Sequence, residues 1–191
     1  ERLISSASAI AGAFAALERS LAFGRERIVF GKPLVKREVW QHKFADLYTK
    51  AEAAQALLYR AAAGFNNERY VRRENISFET TKRIAMTKLF VGDVTSEIAD
   101  QVMQFHGGMG YLEELWVARY YRDQRLFRIA AGTSEVMKYM KGIMGGGLFG
   151  GDFSGMVPEP TGTTALATNA DYYTLFSRLG WGSFAAGVLM T

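Results

Sequence analysis

The sequence predicts an all-α protein built as an up-and-down antiparallel helical bundle. Three observations lead there. Apolar residues return every three or four positions along three long stretches, each stretch closes on glycine, proline or paired asparagine, and no segment alternates with period two for long enough to make a sheet. With 49% apolar residues among 191, the chain can bury a real core. Only 22% of residues are charged and three are proline, which argues against wholesale disorder.

The elements follow in order. Leu3, Ala7, Ile10, Phe14, Leu17 and Leu21 share one helical stripe, and the helix they define is expected to end between Gly24 and Phe30. Gly31-Lys32-Pro33 breaks the chain. Trp40, Phe44, Leu47, Ala51, Ala54, Leu58, Ala61 and Phe65 then make a second stripe, which Gly64 and Asn66-Asn67 end. Ser77 is the expected N-cap of a third helix, where Ile84, Val91, Ile98, Val102 and Phe105 form one face beside the small residues Ala85, Gly92, Ser96 and Ala99. Small side chains there let a neighbouring helix come close. Gly107-Gly108-Met109-Gly110 stops the third helix, and a shorter amphipathic helix is predicted over 113–129. Gly132-Thr133 resets the chain, with Thr133 as N-cap of a last helix carrying Val136, Met140 and Ile143.

Ten of the twenty glycines lie at 145 or beyond, although that segment is only a third as long as what precedes it. The expected organisation is therefore a helical domain over 1–143 and a Gly-rich tail over 144–191. The net charge of +4 divides as unevenly: residues 145–191 hold Asp152, Glu159, Asp171 and Arg178, a net of −2, which leaves +6 for the first 144. A basic body suits phosphates in a nucleotide, a coenzyme A tail or a nucleic acid, but the cations are dispersed and no groove-reading motif is present, so nucleic acid is not the expected partner. Without cysteine there is no disulfide frame, thiolate metal site or cysteine nucleophile, and His42 and His106 alone exclude a histidine-rich metal centre. No metal is expected. The longest apolar stretch, 181–190, is well short of the roughly 20 residues that cross a bilayer, and neither a signal peptide nor a membrane anchor is expected.

An all-helical scaffold must place its function at the breaks between helices. Four breaks carry candidate residues: Glu1-Arg2-Leu3; Arg27-Ile28-Val29-Phe30-Gly31-Lys32-Pro33-Leu34; Gln104-Phe105-His106-Gly107-Gly108-Met109-Gly110-Tyr111; and Arg122-Asp123 followed by Ala131-Gly132-Thr133-Ser134-Glu135-Val136. In this order, with bundle helices between them, they resemble the C-terminal helical domain of the acyl-CoA dehydrogenases. These are flavoproteins that introduce a double bond between the α and β carbons of an acyl thioester. The resemblance covers residues 1 to about 143, and the family's N-terminal helical domain and middle β-domain have no counterpart in it. By resemblance, then, the chain is the C-terminal piece of a larger enzyme and inactive by itself.

The resemblance also implies roles. Arg27, Phe30, Gln104, Gly107 and Gly108 match residues that reach the FAD of a neighbouring subunit. A guanidinium suits a pyrophosphate, and glycines let backbone amides approach it. The plainer reading makes the arginine a solvated helix end and the glycines a C-cap and turn. Thr133 matches a threonine that hydrogen-bonds the flavin, and Glu135 stands where relatives place a glutamine or glutamate near the cofactor. The reaction needs a base for the weakly acidic α-proton, and a carboxylate serves once desolvation raises its pKa. Many relatives carry that glutamate immediately before Gly-Thr; here the residue is Ala131, which cannot take a proton. Isovaleryl and long-chain members have a small residue there and place the glutamate at the start of the first bundle helix, which here is Glu1. A free α-amino group on Glu1 would oppose the pKa rise that a base needs. Arg2, Ala131 and Gly132 border the substrate in this reading.

Other residues receive plainer roles. Arg122-Asp123 reads as a structural ion pair holding the last helices, and His106 as a cap or satisfied polar residue. Glu38 occupies the position of a glutamine that contacts flavin in relatives, with Gln41 the alternative. The implied partners are an acyl-CoA substrate, a flavoprotein electron acceptor and further copies of the chain as a homodimer or homotetramer, in the cytoplasm or the mitochondrial matrix. A non-catalytic helical module kept for oligomerisation is the competing expectation.

Overall fold

The computed structural model describes residues 1–138, and four helices account for most of them. α1 spans Arg2–Glu26, α2 Glu38–Asn66, α3 Phe78–His106 and α4 Trp116–Phe127. The chain restarts as a helix at residue 134, with Thr133 as its N-cap. The predicted positions Met140 and Ile143, and the Gly-rich tail, lie outside the described residues.

Side-chain contacts fix the directions of the helices. Phe23, near the end of α1, stacks on His106 at the end of α3, while Trp40 at the start of α2 meets Phe105 edge-on at 4.9 Å. Lys43 bonds Gln101 and Lys50 bonds Glu97, so α2 runs antiparallel to α3. Trp116 at the start of α4 faces His106, and Arg128 just past its end reaches Asp93. The result is the up-down-up-down order expected, with α1 and α3 parallel and α3 packed against all three other helices.

The second stripe is buried from Phe44, Leu47, Ala51 and Ala54 to Leu58 and Ala61, while its end members Trp40 and Phe65 are half-buried. The first needs correction. Ala7 is exposed, and the buried line of α1 runs through Ser6, Ala9, Ala13, Ala16, Ser20 and Gly24 together with Ile10 and Leu17. Small residues face the core because α3 comes too close for large ones, and Phe14 and Leu21 flank that seam half-buried. The buried hydroxyls cost little there: Ser6 and Ser20 donate to the carbonyls of Arg2 and Ala16, both at 2.7 Å.

Two local features depart from the expectation of helices alone. Ile28–Val29 (β1) and Lys32–Pro33 (β2) pair as a minimal antiparallel hairpin. Beyond Asn66, α2 does not stop but continues through one π-helical turn, Asn67–Val71. The Ser77 cap is present: its hydroxyl accepts from the Thr80 amide at 3.2 Å, and Glu68 accepts from the amide and hydroxyl of Ser77 and from the hydroxyl of Thr80. Orphan donors at the start of α3 are satisfied in this way.

Candidate functional site

At the N-terminal end of α1, the first helical residue reaches the last break in the chain. Arg2 Nε donates to the carbonyl of Ala131 at 3.2 Å, across 129 positions of sequence. The carbonyl of the next residue, Gly132, accepts from Lys88 Nζ of α3 at 2.5 Å. Two cations therefore hold two consecutive carbonyls. The turn between them has the left-handed backbone that L-residues avoid, with φ +56° at Ala131 and +101° at Gly132. Gly132 has a second reason to be glycine, since a Cβ there would stand 2.6 Å from Met137 Cε.

Thr133 follows as a true N-cap: its hydroxyl accepts from the Val136 amide at 3.4 Å and its carbonyl from the Met137 amide at 3.0 Å. Glu135 is exposed, and its carboxyl is held below the usual range by its own amide, by the Thr133 hydroxyl and then by Lys138 and Arg128. Glu1 is the exposed N-cap residue of α1, one position from the Arg2 that touches Ala131.

The other candidates gather at the opposite end. Phe30 and Gly31 connect β1 to β2 with φ +47° and +75°, the two-residue turn whose twist suits a hairpin. A bulky residue in that conformation is strained, and the Phe30 side chain is 93% exposed. Arg37 holds the turn by donating to the carbonyls of Val29 and Phe30, the latter at 3.1 Å. Arg27 is exposed and, among the described residues, its guanidinium has no ion-pair partner. Gln104 is exposed on the last turn of α3, which ends at Gly107 with φ +60° and ψ −145°. That backbone requires glycine at 107. Among the described residues nothing requires it at 108, where a Cβ would meet no atom within 4 Å. Gly108 thus leaves open backbone at the end of α3.

These residues fit the flavin dinucleotide implied by the resemblance, in two separate groups. The Arg27, Phe30, Gln104, Gly107 and Gly108 group sits where α1 and α3 end; the Arg2, Ala131, Gly132, Thr133 and Glu135 group sits where α1 begins. The 25 residues of α1 separate them by about 37 Å at 1.5 Å per residue. One copy of the chain cannot bring both groups to one flavin ring.

Other assignments are settled locally. Arg122 does not pair with Asp123; its guanidinium lies 3.7 Å from Glu113, both exposed. Burial raises the Asp123 carboxyl, against the charges of Arg122 and Arg119. The ion pair that ties α4 to α3 is instead Arg128 to Asp93 at 2.9 Å. His106 is the satisfied polar residue expected. Its Nδ1 lies 2.8 Å from the Val102 carbonyl, its ring stacks on Phe23 at 4.3 Å, and burial pushes its pKa down. Gln41 spends its amide on the Val35 carbonyl at 3.1 Å, whereas Glu38 is exposed, 3.8 Å from His42. Among the described residues no three His, Cys, Asp or Glu could share a metal ion, and no helix is long and apolar enough to cross a membrane.

Lys88 is the residue that reading the sequence misses. Its signal was present: Ala85, Lys88, Gly92, Thr95, Ala99, Val102 and His106 repeat at three and four and are all buried, so a lysine stands on a core stripe. Burial pushes its ammonium below the ordinary lysine range, with the charges of Arg2 and Arg128 in the same direction and Asp93 and Glu135 opposing.

Comparison with known proteins identifies the bundle. Residues 1–141 match the family model described as acyl-CoA dehydrogenase, C-terminal domain. The caffeyl-CoA reductase-Etf complex subunit CarC of Acetobacterium woodii is 35% identical over 137 residues, covering 72% of this chain and 34% of that one. The mitochondrial short-chain specific acyl-CoA dehydrogenase of Bos taurus is 37% identical over 124 residues, covering 65% and 28%. Among solved structures, butyryl-CoA dehydrogenase from Megasphaera elsdenii superposes with a TM-score of 0.65 at 33% identity, over 74% of this chain and 34% of that one. The chain spans about a third of the length of the curated relatives it matches.

Proposed function

The chain belongs to the acyl-CoA dehydrogenase family, as its C-terminal domain, and on that premise we propose that it forms part of an FAD-dependent enzyme that oxidises an acyl-CoA thioester to its α,β-unsaturated product. The observation that carries the proposal is the Arg2–Ala131 hydrogen bond. It draws the start of α1 against the residue before Gly-Thr, where this chain has a methyl group in place of a carboxylate. Glu1 is the acid nearest in sequence to that contact, and we assign it the removal of the substrate α-proton.

FAD, when bound, supplies the hydride acceptor for the β-carbon. The chain's own residues do the rest. Arg2 and Lys88 hold the turn that would border the substrate, Thr133 and Glu135 would hold the flavin, and Ala131 leaves room for a proton acceptor on another element. At the far end Arg27 would hold the pyrophosphate, with Phe30, Gln104 and the amides of Gly107 and Gly108 as the other residues that would hold the dinucleotide. Because these lie about 37 Å away along a helix rising 1.5 Å per residue, they serve the flavin of a second copy, which supports a homodimer or homotetramer.

The names of relatives support two further parts of the reading. One relative belongs to an Etf complex, in keeping with a flavoprotein as electron acceptor, and another is mitochondrial, which leaves the matrix and the cytoplasm as the compartments favoured. We place the boundary of the helical domain near 143, with 144–191 as a separate tail.

The test uses the flavin-loaded protein that carries this chain. Glu1→Gln should abolish bleaching of the flavin by acyl-CoA, since a general base is worth about 10²- to 10⁴-fold. Ala131→Glu should fold, because position 131 already holds a non-glycine residue at positive φ. Unchanged reduction in Glu1→Gln would refute the assignment. A second reading, a bundle kept only for assembly, draws on exposed Ile28, Phe30, Tyr111 and Leu112. It requires that the protein bind no FAD at all.

A further inference from the structure

Lys88 is 1% exposed and stands over the Phe127 ring at 5.3 Å, yet among the described residues no carboxylate bonds it; its hydrogen bond goes to the carbonyl of Gly132. A buried charge is a poor way to gain stability, because an apolar side chain of the same volume usually serves as well or better. The interest lies in what the bond fixes. In a trans peptide the carbonyl and the following amide point in opposite directions. Holding the Ala131 carbonyl with Arg2 therefore sets the Gly132 amide, and holding the Gly132 carbonyl with Lys88 sets the Thr133 amide. Among the described residues, neither amide donates to any group in the chain. Each is turned away from the cation that holds its peptide's carbonyl. The left-handed turn at 131–132 would otherwise relax, and the bonds that start the last helix would follow it.

We propose that Lys88 is a positioning residue for the dehydrogenation: through the Gly132 carbonyl it holds the Ala131–Gly132–Thr133 turn so that the Thr133 amide and hydroxyl face the flavin and the thioester. This rests on the function proposed above. It adds a third element, α3, to a site otherwise built from the start of α1 and the turn before the last helix.

The experiment compares Lys88→Met with the unmodified protein, in the flavin-loaded protein that carries this chain. Deuterium exchange reads the amides of Ser134, Val136 and Met137, which bond Arg128 and Thr133. We expect exchange there at least tenfold faster, with the α1–α3 core unchanged. Single-turnover reduction by saturating acyl-CoA should slow at least tenfold, while the apparent Kd for acyl-CoA moves less than threefold. Unchanged exchange, or faster exchange with unchanged reduction, overturns the proposal. If the unmodified protein is not reduced by acyl-CoA, the proposed function has failed, and with it the catalytic half of this inference; the exchange result still decides whether Lys88 holds the turn. Should Lys88→Met not fold, nitrogen-15 lysine spectra of the unmodified protein decide that point. A slowly exchanging ammonium coupled to the residue-132 carbonyl supports the bond, and its absence overturns it.

Discussion

The ring of Phe105 lies so close to the backbone of Gly24 that a Cβ at position 24 would stand 2.4 Å from its Cζ. The ring cannot swing aside, because Trp40 and Phe44 each hold it edge-on at 4.9 Å. Gly24→Ala gains helix propensity of about 1 kcal/mol. Overpacking costs about 1–3 kcal/mol and should win here, because Val35 would also be only 2.8 Å away. Thermal unfolding should show a Tm lowered by several degrees, and Phe105→Leu in the same chain should restore part of it. A Gly24→Ala protein as stable as the parent would contradict the close α1–α3 approach.

Phe30 should show the reverse trade. Its side chain contributes no core packing and its φ of +47° favours glycine. Phe30→Gly should leave stability within about 1 kcal/mol of the parent, since relief of strain offsets the entropy of glycine. Flavin affinity, measured by release of FAD on dilution, should fall at least tenfold. Retention of FAD with full affinity would remove Phe30 from the cofactor contact.

His106 predicts a pH dependence. Burial, assisted by the charge of Arg19 and opposed by the bond to Val102, lowers its folded pKa below the ordinary 6.5. Full stability is therefore present above 6.5, where folded and unfolded chains are both neutral at this residue. It declines as pH falls from 6.5 to the depressed folded value, where only the unfolded chain has taken the proton. Tm measured from pH 7.5 to 5 should fall in the parent and fall less in His106→Gln; equal slopes would assign the loss to other groups.

Glu68 adds a second, more acidic window. Its folded pKa is lowered by the Ser77 hydroxyl and amide and by Thr80, so its contribution is present above the ordinary carboxylate range and is lost as pH falls through the depressed value. Ser77→Ala removes the cap and one of those donors and should cost about 1 kcal/mol at neutral pH. A Tm unchanged in Ser77→Ala would deny the cap its role.

How much could be read in advance differed between helices for a physical reason. α2 buries a single face, so its three-four repeat names its core, Phe44 to Ala61, with Trp40 and Phe65 half-buried at the two ends of the stripe. α1 meets its neighbour through alanine, serine and glycine, and hydrophobicity alone then selects the wrong edge of the seam, as exposed Ala7 shows. The hairpin escaped because two residues per strand are too few to show a period of two. The motif residues were found by resemblance, but only coordinates divide them into two ends and reveal Lys88, whose charge disguises a core position on α3.

The length of α1 has one more consequence. If each flavin draws on the head of one bundle and the foot of another, a lesion at either extremity damages a different half of every shared centre. Two preparations, each dead from a defect at its own extremity, would regain a fraction of working centres when their subunits are scrambled, and dilution to single subunits would extinguish it again.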